Sequence, residues 1–239
     1  MKLPLFYKPE IHSNDSLIIL DELSSKHIIQ VLRMHIGEQL QLTDGKGNLY
    51  TVQIKDDNRK KCSVSILQVS KIQHPKYNIT IAISPVKNNS RFEWFLEKAT
   101  EIGVSQIVPI LCERTEKQHF KYDRMKTILV SAMLQSQQVW LPVLHEPVKI
   151  TEYISYVNEK QHLQKFIAHC QDEESKVQLS NKLINNATNQ LILIGPEGDF
   201  SKTEIDTAHA NNFIPVSLGN NRLRTETAGI VAATLLCNF

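Results

Sequence analysis

The sequence predicts an α/β protein that carries a smaller β-rich domain at its N-terminus, and three observations support this fold class. After residue 74, apolar strand-like runs alternate with amphipathic helical segments, as in a mostly parallel sheet covered by helices. Before that point, short segments of alternating polar and apolar residues lie between turn signals. The two patterns meet at the proline-containing stretch IQHPKY. We therefore expect two domains, residues 1–73 and 74–239.

The first domain is expected to be a small β-barrel. Its longest segment, GEQLQLTDGKGNLYTVQIKDDNRKKCSVSILQVSKI, has a strand-like alternation with turn signals such as Asp44-Gly45. One helix, SSKHIIQVLRM, is expected to interrupt the strands, with Ile28, Val31 and Leu32 on one face. Small barrels of this kind commonly present a surface to oligonucleotides, although the fold alone proves no function.

The second domain is expected to hold strands and helices in regular alternation. The predicted strands lie near 78–86, 104–111, 141–144, 164–169, 190–195 and 213–218. The predicted helices lie near 90–102, 121–138, 150–160, 176–185, 202–211 and 226–237. In the first of these helices the apolar residues form one stripe, and Gly103 supplies the C-terminal stop.

Composition limits the function classes. The 239 residues are 41% hydrophobic and 22% charged, which is typical of globular proteins. No window approaches the roughly 18 apolar residues of a membrane span. The four cysteines are scattered without a C-x-x-C pair, and no His, Cys, Asp or Glu cluster has metal-ligand spacing. We interpret the chain as a reduced, cytoplasmic protein with no metal and no membrane partner.

The distribution of charge offers one indication of a nucleic-acid partner. The net charge is +2, and the basic cluster Arg59-Lys60-Lys61 at a predicted hairpin tip is suited to phosphate contact. A solvated turn is the simpler interpretation of this cluster. Arg33, on the N-terminal helix, is also a candidate for contact with RNA phosphate.

Two tryptophans are further candidates for RNA contact. Trp94 and Trp140 are able to stack on a base. Their positions in a predicted helix and at a strand edge favour packing in the core or in an interface.

The stretch LILIGPEGDFSKTE, residues 191–204, predicts a strand, a tight loop and a helix. Ser201 and Glu204 are spaced for a capping box at the helix start. In open α/β sheets such a loop lies at the carboxyl end of its strand, where ligands usually bind. The loop matches neither a P-loop nor a dinucleotide fingerprint, and Glu197 would repel a phosphate. A neutral or cationic ligand is therefore expected, unless this is an ordinary turn with two glycines.

A second strand-to-helix connection follows in FIPVSLGNNRLRTETAGIVAATLL. We expect the loops at 195–200 and 217–225 to be neighbours that form opposite walls of one cleft. The final helix has a group of small residues, and packing on the sheet is a simpler explanation for them than contact with a second copy: Ala228, Gly229, Ala232 and Ala233.

Four motifs in the second domain resemble the bacterial 16S rRNA uridine-N3 methyltransferases, the RsmE family of the SPOUT superfamily. They are EWFLEKATEIGVSQIVPILCERT, QSQQVWLP, LIGPEGDFSKTE and SLGNNRLRTETA, and HIIQVLRMHIGEQLQLTDGKG extends the resemblance over nearly the whole chain. The resemblance implies a SPOUT-type trefoil-knotted α/β domain, an N-terminal PUA-like β-barrel that binds RNA, and a homodimer. It also implies that S-adenosylmethionine is the cofactor. The implied reaction is methylation of N3 of a uridine in 16S rRNA, in the decoding region of the small ribosomal subunit.

The resemblance assigns roles to individual residues. Those expected to bind the cofactor lie in three loops: Gly195, Pro196, Glu197 and Gly198; Leu218 and Gly219; and Leu223, Thr225 and Glu226. Arg114, followed by Thr115, matches an Arg-Ser/Thr pair of the family and is expected to bind RNA. Asp199 stands where the family usually has a second glycine, and the family usually has an arginine near Asn221 rather than at Arg222.

The implied chemistry selects Arg224 as the candidate catalytic residue. Methyl transfer from a sulfonium is an in-line displacement that depends on positioning and needs no covalent enzyme intermediate. Uridine N3 carries a proton, so the base must be unpaired and deprotonated, and a guanidinium suits the developing charge. A salt bridge with Glu226 or Glu197 is the alternative role of Arg224. For Thr225, capping of the final helix is favoured over contact with the cofactor.

Two other functions stay open at this point. One is ribose 2′-O-methylation of rRNA or tRNA by an enzyme of the same superfamily. The other is a non-catalytic RNA-binding or ribosome-assembly factor. The identity of the methylated atom separates the first from N3 methylation, and cofactor binding separates the second from both.

Overall fold

The chain divides into two compact units in the computed structural model, which describes residues 3–12, 17–116, 120–160, 162–171, 176–182 and 189–238. One unit contains Met1–His74 together with Met133–Leu141, and the other contains Pro75–Ala132 and Pro142–Phe239. A segment from the middle of the chain therefore belongs with the N-terminal unit. No local pattern in the sequence indicates that these nine residues belong to the first unit.

The first unit is built on a five-stranded sheet. Its strands are β1 (Leu5–Tyr7), β2 (Ile18–Ile19), β3 (Gln39–Thr43), β4 (Asn48–Asp56) and β5 (Ser63–Lys71). They follow the order β1-β3-β4-β5-β2, with β1 parallel to β3 and the other pairs antiparallel. Because side chains alternate along a strand, one face of these strands supplies the core, in which Leu40, Val52, Ile54 and Val64 are fully buried.

The helix predicted for SSKHIIQVLRM differs from the prediction. It consists of α1 (Glu22–Lys26) followed by a π-helix over His27–Val31. Ile28 is buried, but Val31 and Leu32 are exposed, so the prediction of one shared apolar face is wrong. A π-helix has more residues per turn, which rotates the later residues away from the face that a 3.6-residue period predicts.

Trp140 lies in the central segment that belongs to the first unit. Its ring covers Gly47, where a Cβ atom would overlap the indole. Its Nε1 donates to the Gln73 carbonyl at 3.3 Å, and the His74 ring meets it edge-on at a centroid distance of 4.5 Å. These contacts favour the packing interpretation of this tryptophan over base stacking.

The second unit is built on an eight-stranded sheet in which every pairing is parallel. The strands are β6 (Asn78–Ile83), β7 (Gln106–Leu111), β8 (Val143–Leu144), β9 (Val148–Lys149), β10 (Gln164–Ala168), β11 (Val177–Gln178), β12 (Asn189–Ile194) and β13 (Ile214–Ser217). Their order is β11-β13-β10-β12-β6-β7-β8, and β9 also pairs with β7. The predicted α/β class is confirmed.

Five helices accompany this sheet within the described ranges. They are α2 (Asn89–Ile102), α3 (Tyr122–Gln135), α4 (Ile150–Asn158), α5 (Lys202–Ala210) and α6 (Thr225–Asn238). All five lie close to their predicted positions, and α2 ends as predicted at Gly103, which has a left-handed backbone (φ 102°). None of the described helices is both long enough and apolar enough to cross a membrane.

The helix predicted at 176–185 is not observed. The described residues there form β11 and a short 3-10 helix, Leu179–Asn181, while residues 183–188 lie outside the described part of the chain. The strands β9 and β11 are only two residues long, too short to give a recognisable alternation in the sequence.

Helix α6 packs closely on α2 and the sheet. A Cβ atom at Gly229 would lie 2.6 Å from the Phe95 ring and 2.8 Å from Ile83 Cδ1. Ala232 and Ala233, on the same helix, are fully buried. Packing within the unit therefore accounts for Gly229, Ala232 and Ala233, as the sequence indicated.

We expect Gly229→Val to lower the free energy of unfolding by about 1–3 kcal/mol, because the added side chain must displace Phe95 or Ile83. Thr234→Val places the same side chain at an exposed position of α6 and should change stability by less than about 0.5 kcal/mol. Urea denaturation followed by circular dichroism measures both variants. Equal stabilities would contradict the close packing of α6.

Candidate functional site

The carboxyl ends of β12, β10 and β13 meet at one edge of the parallel sheet. Strand β10 pairs with β12 on one side and with β13 on the other. Strand β10 therefore separates β12 from β13 in the sheet, but the loops that follow these two strands still meet and line the same cavity, as predicted. The end of β10, at Ala168 and Cys170, lies between them and contributes to the site.

Two adjoining cavities open at this edge of the sheet. The first, of about 320 Å³, lies between the end of β10, residues 194–199 and residues 222–228. The second, of about 620 Å³, lies between the end of β10, Lys176 and residues 216–223. The cavities share five lining residues: Ala168, Cys170, Arg222, Leu223 and Ala228. Both volumes are in the range of about 300–1,000 Å³ that is usual for small-molecule sites.

Most of the residues predicted to bind a cofactor line these cavities. Gly195, Pro196, Glu197 and Thr225 line the first cavity, Leu218 and Gly219 line the second, and Leu223 lines both. Gly198 and Glu226 line neither cavity. The sequence analysis missed Ala168, Cys170 and Lys176, because the strand order that brings them here has no local signal.

Arg114 lies against the loop that follows β12. Its Nη1 donates to the Gly198 carbonyl at 2.8 Å and to the Phe200 carbonyl at 3.5 Å. The arginine side chain also covers Gly198, where a Cβ atom would lie 3.4 Å from Arg114 Cβ. Arg114 therefore holds this loop from the end of β7, while its predicted contact with RNA stays a prediction.

The start of α5 is closed by the predicted capping box. Ser201 Oγ accepts from the Glu204 N–H, and Glu204 Oε2 accepts from the Ser201 N–H at 2.8 Å. The other oxygen of Glu204 accepts from the Glu113 N–H at 2.7 Å. Because two donors of the helix start are occupied and a buried carboxylate lies among them, this helix does not offer a phosphate site.

The start of α6 is joined to the loop after β12. Thr225 is 5% exposed, and its hydroxyl donates to the Gly195 carbonyl at 3.0 Å. This contact, rather than the capping role favoured by the sequence, is what the structure records for Thr225. Arg222 Nη2 adds a longer hydrogen bond, 3.5 Å, to the Glu197 carbonyl.

Asp199 connects the same loop to the end of β10. Its backbone is left-handed (φ 64°). Its Oδ2 accepts from the Cys170 N–H at 2.9 Å, and its Oδ1 accepts from the Phe200 N–H at 2.9 Å. The loop after β12 is thus held from β7, from β10 and from α6.

Arg224 and Glu226 do not pair with each other. Glu226 is 6% exposed, and its carboxylate lies 3.8 Å from Arg91 Nε. Arg224 is exposed and lines the first cavity. Among the residues whose placement is described, no carboxylate lies within ion-pair distance of Arg224. The salt-bridge alternative is therefore wrong, and the guanidinium is available to a ligand.

The Cys112 thiol, which follows β7, is buried, and the described residues contain no cluster suited to a metal ion. Burial raises the pKa of the Cys112 thiol far above its usual range, and the Glu204 carboxylate raises it further. This thiol therefore stays protonated at neutral pH and is a poor nucleophile. A search of the described residues finds no group of three His, Cys, Asp or Glu residues that is placed to hold a metal ion.

The basic residues predicted to contact RNA in the first unit are exposed. Arg33 follows the π-helix with a left-handed backbone (φ 56°). Arg59, Lys60 and Lys61 form the tip between β4 and β5, where Asn58 Oδ1 accepts from two backbone amides of the turn. The tip is thus an ordered turn with three exposed cations, and its contact with RNA stays a prediction.

Family models match both parts of the chain. A model described as an RNA methyltransferase domain matches residues 73–237, and one described as an RNA methyltransferase PUA domain matches residues 20–67. The first covers more than half of the chain. The predicted fold class, an α/β domain with an N-terminal PUA-like domain, is therefore confirmed.

Similar proteins and solved structures agree with these models. The ribosomal RNA small subunit methyltransferase E of Aquifex aeolicus is 28% identical over 239 residues, which covers 98% of this chain and 99% of that protein. A crystal structure of a probable rRNA-methyltransferase from Porphyromonas gingivalis is 41% identical, with a TM-score of 0.88 over 98% of both chains. The ribosomal RNA small subunit methyltransferase E from Neisseria gonorrhoeae, bound to S-adenosyl methionine, is 27% identical, with a TM-score of 0.85 over 97% of this chain and 95% of that chain.

The geometry and the similarities lead to one assignment. The site lies at the carboxyl ends of parallel strands, its loops contain the residues expected from the family motifs, and the similarity extends over nearly the whole chain. This chain belongs to the RNA methyltransferase family that includes the ribosomal RNA small subunit methyltransferases E.

Proposed function

We propose that this protein is an S-adenosylmethionine-dependent rRNA methyltransferase that methylates N3 of a uridine in 16S rRNA, in the decoding region of the small ribosomal subunit. The observation that carries the proposal is the pair of cavities at the ends of β10, β12 and β13. All of the predicted cofactor residues except Gly198 and Glu226 line them.

The site residues fit S-adenosylmethionine better than a phosphate-containing cofactor. The capping box at α5 occupies donors that a phosphate would need, and Asp199 adds a carboxylate to the cavity wall. Apolar side chains of Ile194 and Leu223 suit the nucleoside end of the cofactor. When bound, the cofactor supplies a methyl group on a positively charged sulfonium to a nucleophile in line with it.

The loop after β12 is held in shape by the rest of the protein. Donors from Arg114 and Thr225 occupy the carbonyls of Gly198 and Gly195, and the Asp199 carboxylate accepts from the end of β10. A loop that is already ordered has less conformational freedom to lose when a ligand binds. These residues therefore position the cofactor without acting on the reacting atoms.

The position of Arg224 supports a role in the reaction of the uridine. It is exposed at the first cavity and has no ion-pair partner among the described residues. Its guanidinium would donate to a uracil carbonyl as negative charge develops during loss of the N3 proton. Glu226 is buried beside Arg91, which supports a role in ordering the loop rather than in accepting that proton.

The remaining parts of the proposal follow the family resemblance. The PUA-like unit would bind 16S rRNA or the small ribosomal subunit in the cytoplasm, with Arg33 and the Arg59-Lys60-Lys61 tip as phosphate contacts. A homodimer, a trefoil knot and the domain limits 1–73 and 74–239 belong to the same proposal. Sedimentation velocity of the purified protein tests the dimer.

The proposed activity is tested on small subunits from a strain that lacks the corresponding methylation. After incubation with the protein and S-adenosylmethionine, nucleoside mass spectrometry and mapping should find N3-methyluridine at one position. Free 16S rRNA treated in parallel shows whether the assembled particle is required. Methylation of a ribose would replace the proposal with the 2′-O activity, and RNA binding without any methylation would replace it with a non-catalytic role.

Arg224→Ala should lower the methylation rate by about 100-fold, because the developing charge on uracil loses its donor. The affinity for S-adenosylmethionine, measured by calorimetry without RNA, should change by less than about threefold. Arg224→Lys, which keeps the charge but not the planar fork, should recover only part of the rate. Equal losses of rate and cofactor affinity would assign Arg224 to the cofactor pocket instead.

Arg114→Ala should weaken S-adenosylmethionine binding by about tenfold in the absence of RNA, since two loop carbonyls lose their donor. Lys126→Ala removes an exposed positive charge from α3 and should leave this affinity unchanged. Calorimetry measures both variants. A defect confined to RNA binding would show that Arg114 contacts RNA and does not hold the loop.

A further inference from the structure

The first cavity contains a carboxylate whose position is fixed from two sides. Asp199 lines this cavity, and its two oxygens accept from the N–H groups of Cys170 and Phe200, each at 2.9 Å. Its own N–H donates to the Pro196 carbonyl at 3.0 Å. Because backbone groups hold both oxygens, the carboxylate keeps one position in the cavity wall.

The backbone of Asp199 has a left-handed conformation, with a φ of 64°. Asp adopts this conformation more often than most residues do, and glycine adopts it without strain. A glycine would satisfy the turn but would provide neither the bond to Cys170 nor a negative charge. The carboxylate is therefore what this position gains from having aspartate instead of glycine.

The other charged side chains of the first cavity have more contact with water. Glu197, Arg222 and Arg224 are exposed, whereas Asp199 is partly buried. Water and salt screen the exposed charges strongly, and the negative charge of Glu197 partly cancels the positive charges of the two arginines. The field of Asp199 therefore acts on a ligand inside the cavity more effectively than the field of any one of these three.

We infer that Asp199 is a specificity-determining residue that favours the cationic methyl donor over its neutral product; this inference rests on the proposed function. In the reaction, a bond forms between uridine N3 and the methyl carbon, and the bond from that carbon to sulfur breaks. The electron pair of the broken bond stays on sulfur, which becomes a neutral thioether, while the N3 proton passes to water. The ligand thereby loses the positive charge that Asp199 attracts, so S-adenosylhomocysteine is held less tightly and is replaced by fresh donor.

The test compares the affinities of Asp199→Asn for three ligands without RNA. S-adenosylmethionine and the inert analogue sinefungin, which has an amine in place of the sulfonium, should bind about tenfold more weakly than to the unaltered protein. The affinity for S-adenosylhomocysteine should change by less than about threefold. Asp206→Asn, which removes an exposed carboxylate of α5, should change none of the three affinities.

Comparison with a second variant separates the charge from the hydrogen bonds. Asp199→Asn removes the charge and keeps one acceptor oxygen, whereas Asp199→Gly suits the backbone conformation and removes the charge and both acceptors. Asp199→Gly should therefore weaken all three ligands, but the two cationic ligands more strongly. Thermal unfolding of each variant confirms that it is folded. Equal losses for cationic and neutral ligands, or no loss in either variant, would overturn the inference alone. Failure of the unaltered protein to bind any of the three ligands would overturn the proposed function and the inference with it.

Discussion

The site depends on hydrogen bonds that hold the loop after β12 from three directions. A loop at the end of a parallel strand leaves the sheet ladder, and its buried backbone groups need other partners. Arg114 and Thr225 supply donors to the carbonyls of Gly198 and Gly195, while the Asp199 carboxylate accepts from Cys170. The walls of the first cavity are therefore defined before any ligand arrives, which lowers the cost of ordering them on binding.

The order of the strands brings these partners together. Strand β12 lies between β10 and β6, and β7 lies beyond β6. Because every pairing in this sheet is parallel, residues that follow β7, β10 and β12 emerge at the same edge. Arg114 and Gly198 are 84 residues apart in the chain, but Arg114 Nη1 lies 2.8 Å from the Gly198 carbonyl oxygen. A substitution that shifts one of these strands would therefore change the shape of the cavity, even at a residue that does not contact a ligand.

Local features were predictable from the sequence, and long-range ones were not. The capping box of Ser201 and Glu204 and the end of α2 at Gly103 depend on a few consecutive residues, and both are observed. The position of β10 between β12 and β13 and the contact of Arg114 with the loop depend on strand order, which periodicity does not encode. The family motifs located the loops but did not distinguish Gly198, which faces Arg114, from residues that face the cavity.

Two carboxylates lie near the start of α5, where a strand-loop-helix arrangement commonly binds anions. The start of a helix after a parallel strand is a common phosphate site, because its free N–H groups and dipole attract anions. Here Glu204 occupies that position and is itself held by the Glu113 N–H, so its carboxylate is fixed where a phosphate would lie. Asp199 places a second negative charge at the nearby cavity wall. The backbone geometry that elsewhere attracts an anion has two carboxylates beside it here, which disfavours an anion at the start of α5.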